Sequence, residues 1–113
     1  MTISASEGRR RQARVSAGFR RFGEAVTVER AGASRARRGV FGPLDLASSS
    51  VYFDANEAVG LTRPGLLFYG DGADADPPQA GDIFTRDGRL WTVRKTQTFR
   101  LGDTPLVAVA VCD

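Results

Sequence analysis

Six arginines, Arg9, Arg10, Arg11, Arg14, Arg20 and Arg21, fall within thirteen residues near the start of this chain. Guanidinium groups at that density suit contacts to phosphates or to an acidic protein surface, because each carries a permanent charge and a fork of donors. A second cluster is acidic: Asp71, Asp74 and Asp76 stand in one loop. Their oxygens could hold a hard cation, but the spacing departs from the D-x-[DN]-x-[DN]-G calcium loop and no downstream glutamate completes it. A solvated loop is the expectation. The rest of the chemistry is sparse. With no histidine, the chain lacks the commonest general base and the commonest transition-metal ligand. Cys112 has no sequence neighbour that would lower its pKa. Ser48, Ser49 and Ser50 lack a G-x-S-x-G frame, and the glycines form neither phosphate-binding signature. Nothing places two carboxylates for acid–base work on a sugar. No catalytic, cofactor-binding or metal-ligating residue is therefore assigned. The candidate residues are partner-binding ones: the six arginines, Val15, Phe19 and Phe22 among them, and the three aspartates.

Those groups need elements to hold them. Val15, Phe19 and Phe22 recur at i, i+4 and i+7, which puts them on one helical face with arginines around it. A run this short, containing Gly18, is marginal as an isolated helix. It is expected to be helical where its apolar stripe finds a surface, on its own domain or on a partner, and Gly23 is its expected stop. From Glu24 the period changes to two. The segment EAVTVER sets Val26 and Val28 on one face and Thr27 and Glu29 on the other, as a half-buried strand does.

Ala31 to Ser34 reads as a turn, and RARRGVFGP as a second strand ending near Gly42 and Pro43, where proline interrupts a ladder. Residues 44–62 read as a long excursion holding one short strand, VYFD. PGLLFYG is a further strand, followed by a polar, acidic loop, DGADADPPQAG. In GDIFTRDGRLWTV the pair Asp87-Gly88 separates two strand-like runs, the preferred sequence for a two-residue hairpin because both central positions need positive φ. Trp91 and Val93 share a face assigned to the core. The closing run TPLVAVAVCD alternates alanines with valines, as a strand buried on at least one side would. Six or seven antiparallel strands in one short chain close most readily as a small barrel or sandwich, with residues 1–23 as a basic, flexible or conditionally helical arm and 24–113 as the body.

Composition sets the bounds. A chain of 113 residues with 42% hydrophobic content suits one domain with a modest core. No apolar run approaches the ~20 residues of a membrane span, no secretory signal is visible, and one cysteine forms no intrachain disulfide, which fits a reducing compartment. The net charge of +3 conceals an asymmetry. Ten of the sixteen basic residues but only three of the thirteen acids lie in the first 38 positions. A basic arm joined to a mildly acidic body is the pattern that a function must explain.

Three stretches carry a resemblance: VTVERAGASRARRGVFGP with its RGVF, RPGLLFY, and AGDIFTRDGRLWTVRKTQTFRLGDTPLVAVAV. Their order resembles the head–tail joining (neck, or tail-attachment) proteins of long-tailed bacteriophages, of the lambda type, over about residues 24–111. The chain departs from that pattern in its arginine-rich arm and in loop 71–79, which resembles an insertion. The resemblance implies a non-catalytic virion component of phage, prophage or gene-transfer particle, without cofactor. It would assemble as a ring at the portal vertex in the host cytoplasm, between portal or head-completion proteins and the tail. On that view Val15, Phe19 and Phe22 anchor the arm on a neighbouring subunit. The arginines meet acidic surfaces or make a passing contact with packaged DNA, and loops 43–62 and 71–79 face head and tail. Two other readings stand beside it: a tail-terminator or tail-tube ring protein, and a nucleic-acid-binding small barrel. No membrane is involved in any of them. For the body, Trp91→Ala is expected to cost roughly 3–5 kcal/mol in chemical denaturation, because a large cavity opens. A loss below about 1 kcal/mol would place the indole on the surface.

Overall fold

The computed structural model describes residues 5–44 and 65–113. One helix, α1 (Ala5–Phe22), precedes six strands: β1 (Glu24–Arg30), β2 (Ala33–Leu44), β3 (Gly65–Asp71), β4 (Ile83–Arg86), β5 (Arg89–Leu101) and β6 (Thr104–Cys112). All neighbours are antiparallel and the sheet closes on itself in the order β1-β2-β3-β6-β5-β4. The expected small β-barrel with an N-terminal arm is what the chain forms. The strand expected at VYFD lies outside the described residues.

Turn chemistry fixes the register. Asp87 and Gly88 take φ of 52° and 75°, and Ala31 and Gly32 take 52° and 81°. Two consecutive positive φ values define the type I′ loop whose twist matches paired strands. In the β5–β6 hairpin Gly102 alone takes positive φ, 60°, the first central position that a type II′ loop gives to glycine. β2 runs one residue past the expected stop, with Pro43 opposite Leu66. β5 is longer than the opening motif suggested and carries two register shifts, at Val93/Lys95 and Phe99/Arg100, which curl it around the barrel.

The interior holds Val26, Val28, Leu66, Phe68, Phe84, Trp91, Val93, Ala110 and Cys112, with Phe41 packed against them. Trp91 and Val93 share that interior as their alternation implied. Phe68 sits 4.7 Å from Phe84 and 5.1 Å from Phe41 between ring centroids, tilted to both, an arrangement favoured by the ring quadrupoles. β6 is buried on both faces: Ala110 and Cys112 face inward, while Val109 and Val111 join Leu67 in a second cluster.

β2 changes partner at Gly39, pairing with β1 up to that residue and with β3 from it onward. Gly39 lies opposite Gly70, and the Phe68 ring occupies the space both leave. A Cβ on Gly39 would stand 2.2 Å from the Phe68 ring and 2.5 Å from the Tyr69 carbonyl oxygen, so backbone as well as side chain would have to move. Gly39→Ala is expected to destabilise by about 1–3 kcal/mol through overpacking. A lowered urea midpoint at unchanged slope is the expected result.

Candidate functional site: a barrel end sealed by ion pairs and capped by an arginine helix

Strand alternation carries Arg30, Arg35 and Arg37 to the face that also bears Val26 and Val28, because Arg37 pairs with Val26 and Arg35 with Val28. The three guanidiniums therefore converge at one end of the barrel. Loop 72–82 crosses that end and supplies carboxylates. Asp82 is the centre: 1% exposed, it accepts from Nε and Nη2 of Arg30, both at 2.8 Å, in a bidentate pair. The Gln79 amide donates to the same carboxylate at 2.9 Å, and Arg35 Nη2 approaches at 3.5 Å. Asp76 takes Arg30 Nη1 at 2.8 Å and Arg35 Nη1 at 3.2 Å. Arg37 Nε lies 2.6 Å from Asp74 Oδ2, off its N–H axis, so this contact is an ion pair rather than a directed hydrogen bond.

Burial opposes ionisation of Asp82, but the Arg30 hydrogen bonds, the Gln79 amide and the charges of Arg30 and Arg35 outweigh it, and its pKa falls below the usual carboxylate value. The Arg30 hydrogen bond lowers that of Asp76 too, against a smaller opposing effect of burial. Neither acid stores a proton near neutral pH. The Cys112 thiol is pushed up to about 12 by burial, with the Asp113 charge adding to it. That thiol is a core group at a strand end. Among the described residues no group of three ligand-type side chains could hold a metal ion, and no helix is long and apolar enough to cross a membrane.

α1 lies over this same end. The Ser16 hydroxyl donates to Asp71 Oδ1 at 2.8 Å, Gln12 donates to the Pro105 carbonyl at 2.9 Å, and Gly8 is buried against Thr104. Gly8, Gln12 and Ser16 are spaced by four, so they form one stripe. The contacts of this stripe add to the apolar one expected from hydrophobic spacing, Val15, Phe19 and Phe22. Val15 and Phe19 are half-buried beside it, and Phe22 is 74% exposed. The Gly23 amide donates to the Phe19 carbonyl at 2.9 Å, ending the helix where expected. A cleft of about 340 Å³ remains between helix and barrel, lined by Ser16, Phe19, Arg20, Arg37, Arg38 and Asp74 among others.

The sequence-assigned residues thus divide. Against the expectation of a solvated loop, Asp71, Asp74 and Asp76 are engaged by Ser16, by Arg37, and by Arg30 with Arg35, although the Asp76 side chain stays 49% exposed. Arg9, Arg10, Arg11, Arg14, Arg20 and Arg21 are all exposed on α1. Arg11 pairs with Glu7 at 2.8 Å, and Arg21 lies over the Phe22 ring. The body arginines behave differently: Arg86 pairs with Glu24 and stacks on Phe41, Arg89 stacks on Trp91, and Arg94 pairs with Asp113. Sequence reading missed Arg30, Arg35, Arg37, Asp82 and Ser16. Arg30 continues the Val26, Val28 alternation, and pairing across a two-residue Ala31-Gly32 turn would have placed Arg35 and Arg37 on the same inward face.

Comparison with protein-family models, curated proteins and solved structures gives no match.

Asp82→Asn is expected to cost on the order of 2–3 kcal/mol at neutral pH, since it removes a charged, buried acceptor from Arg30. Because the folded pKa is depressed, the Asp82 contribution is complete above the unfolded value of about 4 and fades as pH falls through the lower folded value. Urea midpoints of the wild type and the variant are expected to converge below about pH 4. A gap that stays constant with pH would assign the loss to packing.

Proposed function

We propose that this chain is a structural head–tail connector of a phage, prophage or gene-transfer particle, acting by protein–protein association without catalysis. It joins a ring at the portal vertex, between portal or head-completion proteins and the tail. The observation that carries the reading is the incompletely covered apolar stripe of α1. Val15 and Phe19 meet the barrel halfway, and Phe22 stands 74% exposed at the helix end. A large aromatic left in water beside a rigid scaffold suits an anchor that a neighbouring subunit covers. The order of motifs over residues 24–111 supports the same reading. So does a closed barrel, which gives such an anchor a fixed base while the chain is free.

The affinity of one anchor is small, and a ring multiplies it: a subunit held by two neighbours and a platform leaves far more slowly than one held by a single contact. Association thereby waits for the vertex that templates it.

Heads lacking this protein, from the element that encodes it, are expected to join purified tails when the purified chain is added. Phe22→Ser is expected to leave stability within about 0.5 kcal/mol, as an exposed change does, yet to lower joining. Full joining by Phe22→Ser would remove the anchor. Joining of heads and tails without any added chain would overturn the connector reading.

A further inference from the structure

We propose that the outward face of α1 is a binding surface for the phosphate backbones of duplex nucleic acid, seated in a groove without reading sequence. This goes beyond the connector reading and does not depend on it. The docked stripe Gly8, Gln12 and Ser16 fixes which way the helix faces. At 100° per residue, Ala13 and Ala17, both exposed, lie on average about 120° round the helix from that stripe, as a low ridge. Two arginine rows flank that ridge: Arg9 and Arg20 on one side, Arg10, Arg14 and Arg21 on the other. The two rows diverge by roughly 100° and run about 16 Å along the axis.

That is the shape a helix needs in a major groove about 12 Å wide. Small side chains face the floor, and long cationic ones reach each wall. Charge supply agrees. Among the described residues Arg9, Arg10, Arg14 and Arg20 have no hydrogen bond or ion pair, whereas of the barrel arginines Arg30, Arg35, Arg37, Arg86 and Arg94 are matched to carboxylates and Arg38, Arg89 and Arg100 are not. The densest group of arginines unmatched to carboxylates among the described residues is thus on α1. An acidic protein is the rival occupant, but a stable protein interface needs an apolar centre, and this face offers only two alanines between its arginines. The amide that could read a base edge, Gln12, is turned to the barrel and donates to Pro105. Recognition is therefore of backbone and shape.

The test uses the full chain and a fluorescent DNA duplex of about 20 base pairs, titrated by anisotropy between about 50 and 200 mM salt. Expected is binding indifferent to sequence, with log K falling against log salt at a slope between about −3 and −5 for up to five phosphate contacts. Arg10→Gln/Arg14→Gln/Arg21→Gln together should flatten that slope by about 2 to 3 and weaken binding at least about tenfold at low salt. Circular dichroism should show the triple variant folded, since none of the three makes a contact to the barrel. Arg89→Gln, which removes one charge from the β4–β5 hairpin, should leave the slope unchanged. Absence of binding at about 50 mM salt, or a slope the triple variant does not alter, would overturn the proposal. So would displacement of the duplex by poly-glutamate as effectively as by unlabelled duplex at equal charge, because the face would then serve acidic protein.

Discussion

One buried carboxylate organises the chemically active end of this molecule. Asp82 sits where loop 72–82 enters β4, and its two oxygens take a fork from Arg30, an amide from Gln79 and the approach of Arg35. Its own backbone carbonyl accepts from Val93, so the same residue joins loop, strand and return strand. Burying an isolated carboxylate would be prohibitive, and burying a guanidinium alone nearly so; each is tolerable because the other is fixed beside it. From Asp82 the dependence runs outward. The loop it pins leaves β3 at Asp71, Asp71 receives Ser16, and Ser16 sets the rotation of α1. The direction in which the helix arginines point is decided several contacts away.

The arginines accordingly fall into two populations with different physics. Arg30, Arg35 and Arg37 are short of water and rich in partners, with pairing between fixed backbones, so little is lost in ordering them. Those on α1 are solvated and repel one another, and apart from the Arg11–Glu7 pair they have no carboxylate to offset that repulsion. A helix with six arginines and a single glutamate is a poor way to stabilise a small domain. Its composition is explained by what it meets, not by what it rests on.

The barrel was legible from local signals that leave little freedom. Asp87-Gly88 between alternating strands dictates a hairpin, and the register it imposes sends Trp91 inward with Phe84. Val26 and Val28 did the same for β1. Other features were hidden because they depend on contacts distant in sequence. Loop 71–79 carries every mark of a solvated segment; only the closure of β1 against β2 reveals three cations beneath it. The closest contacts of α1 were hidden for a related reason. Hydrophobic spacing shows Val15, Phe19 and Phe22, whereas a glycine, an amide and a serine make the closest approach, to Thr104, the Pro105 carbonyl and the Asp71 carboxylate.

The helix and the β5–β6 hairpin are also cut to a common gauge. Three positions spaced four residues apart on α1 land on Thr104, on the Pro105 carbonyl and on Asp71, which pairs with Val107. Eight helical residues advance about 12 Å, and three strand residues about 10 Å, so the two scales coincide only over this interval. A single residue inserted before Val107 would slide the landing places past the helix like a mismatched vernier. Drift in the length of either segment is therefore tolerated only if the other drifts with it.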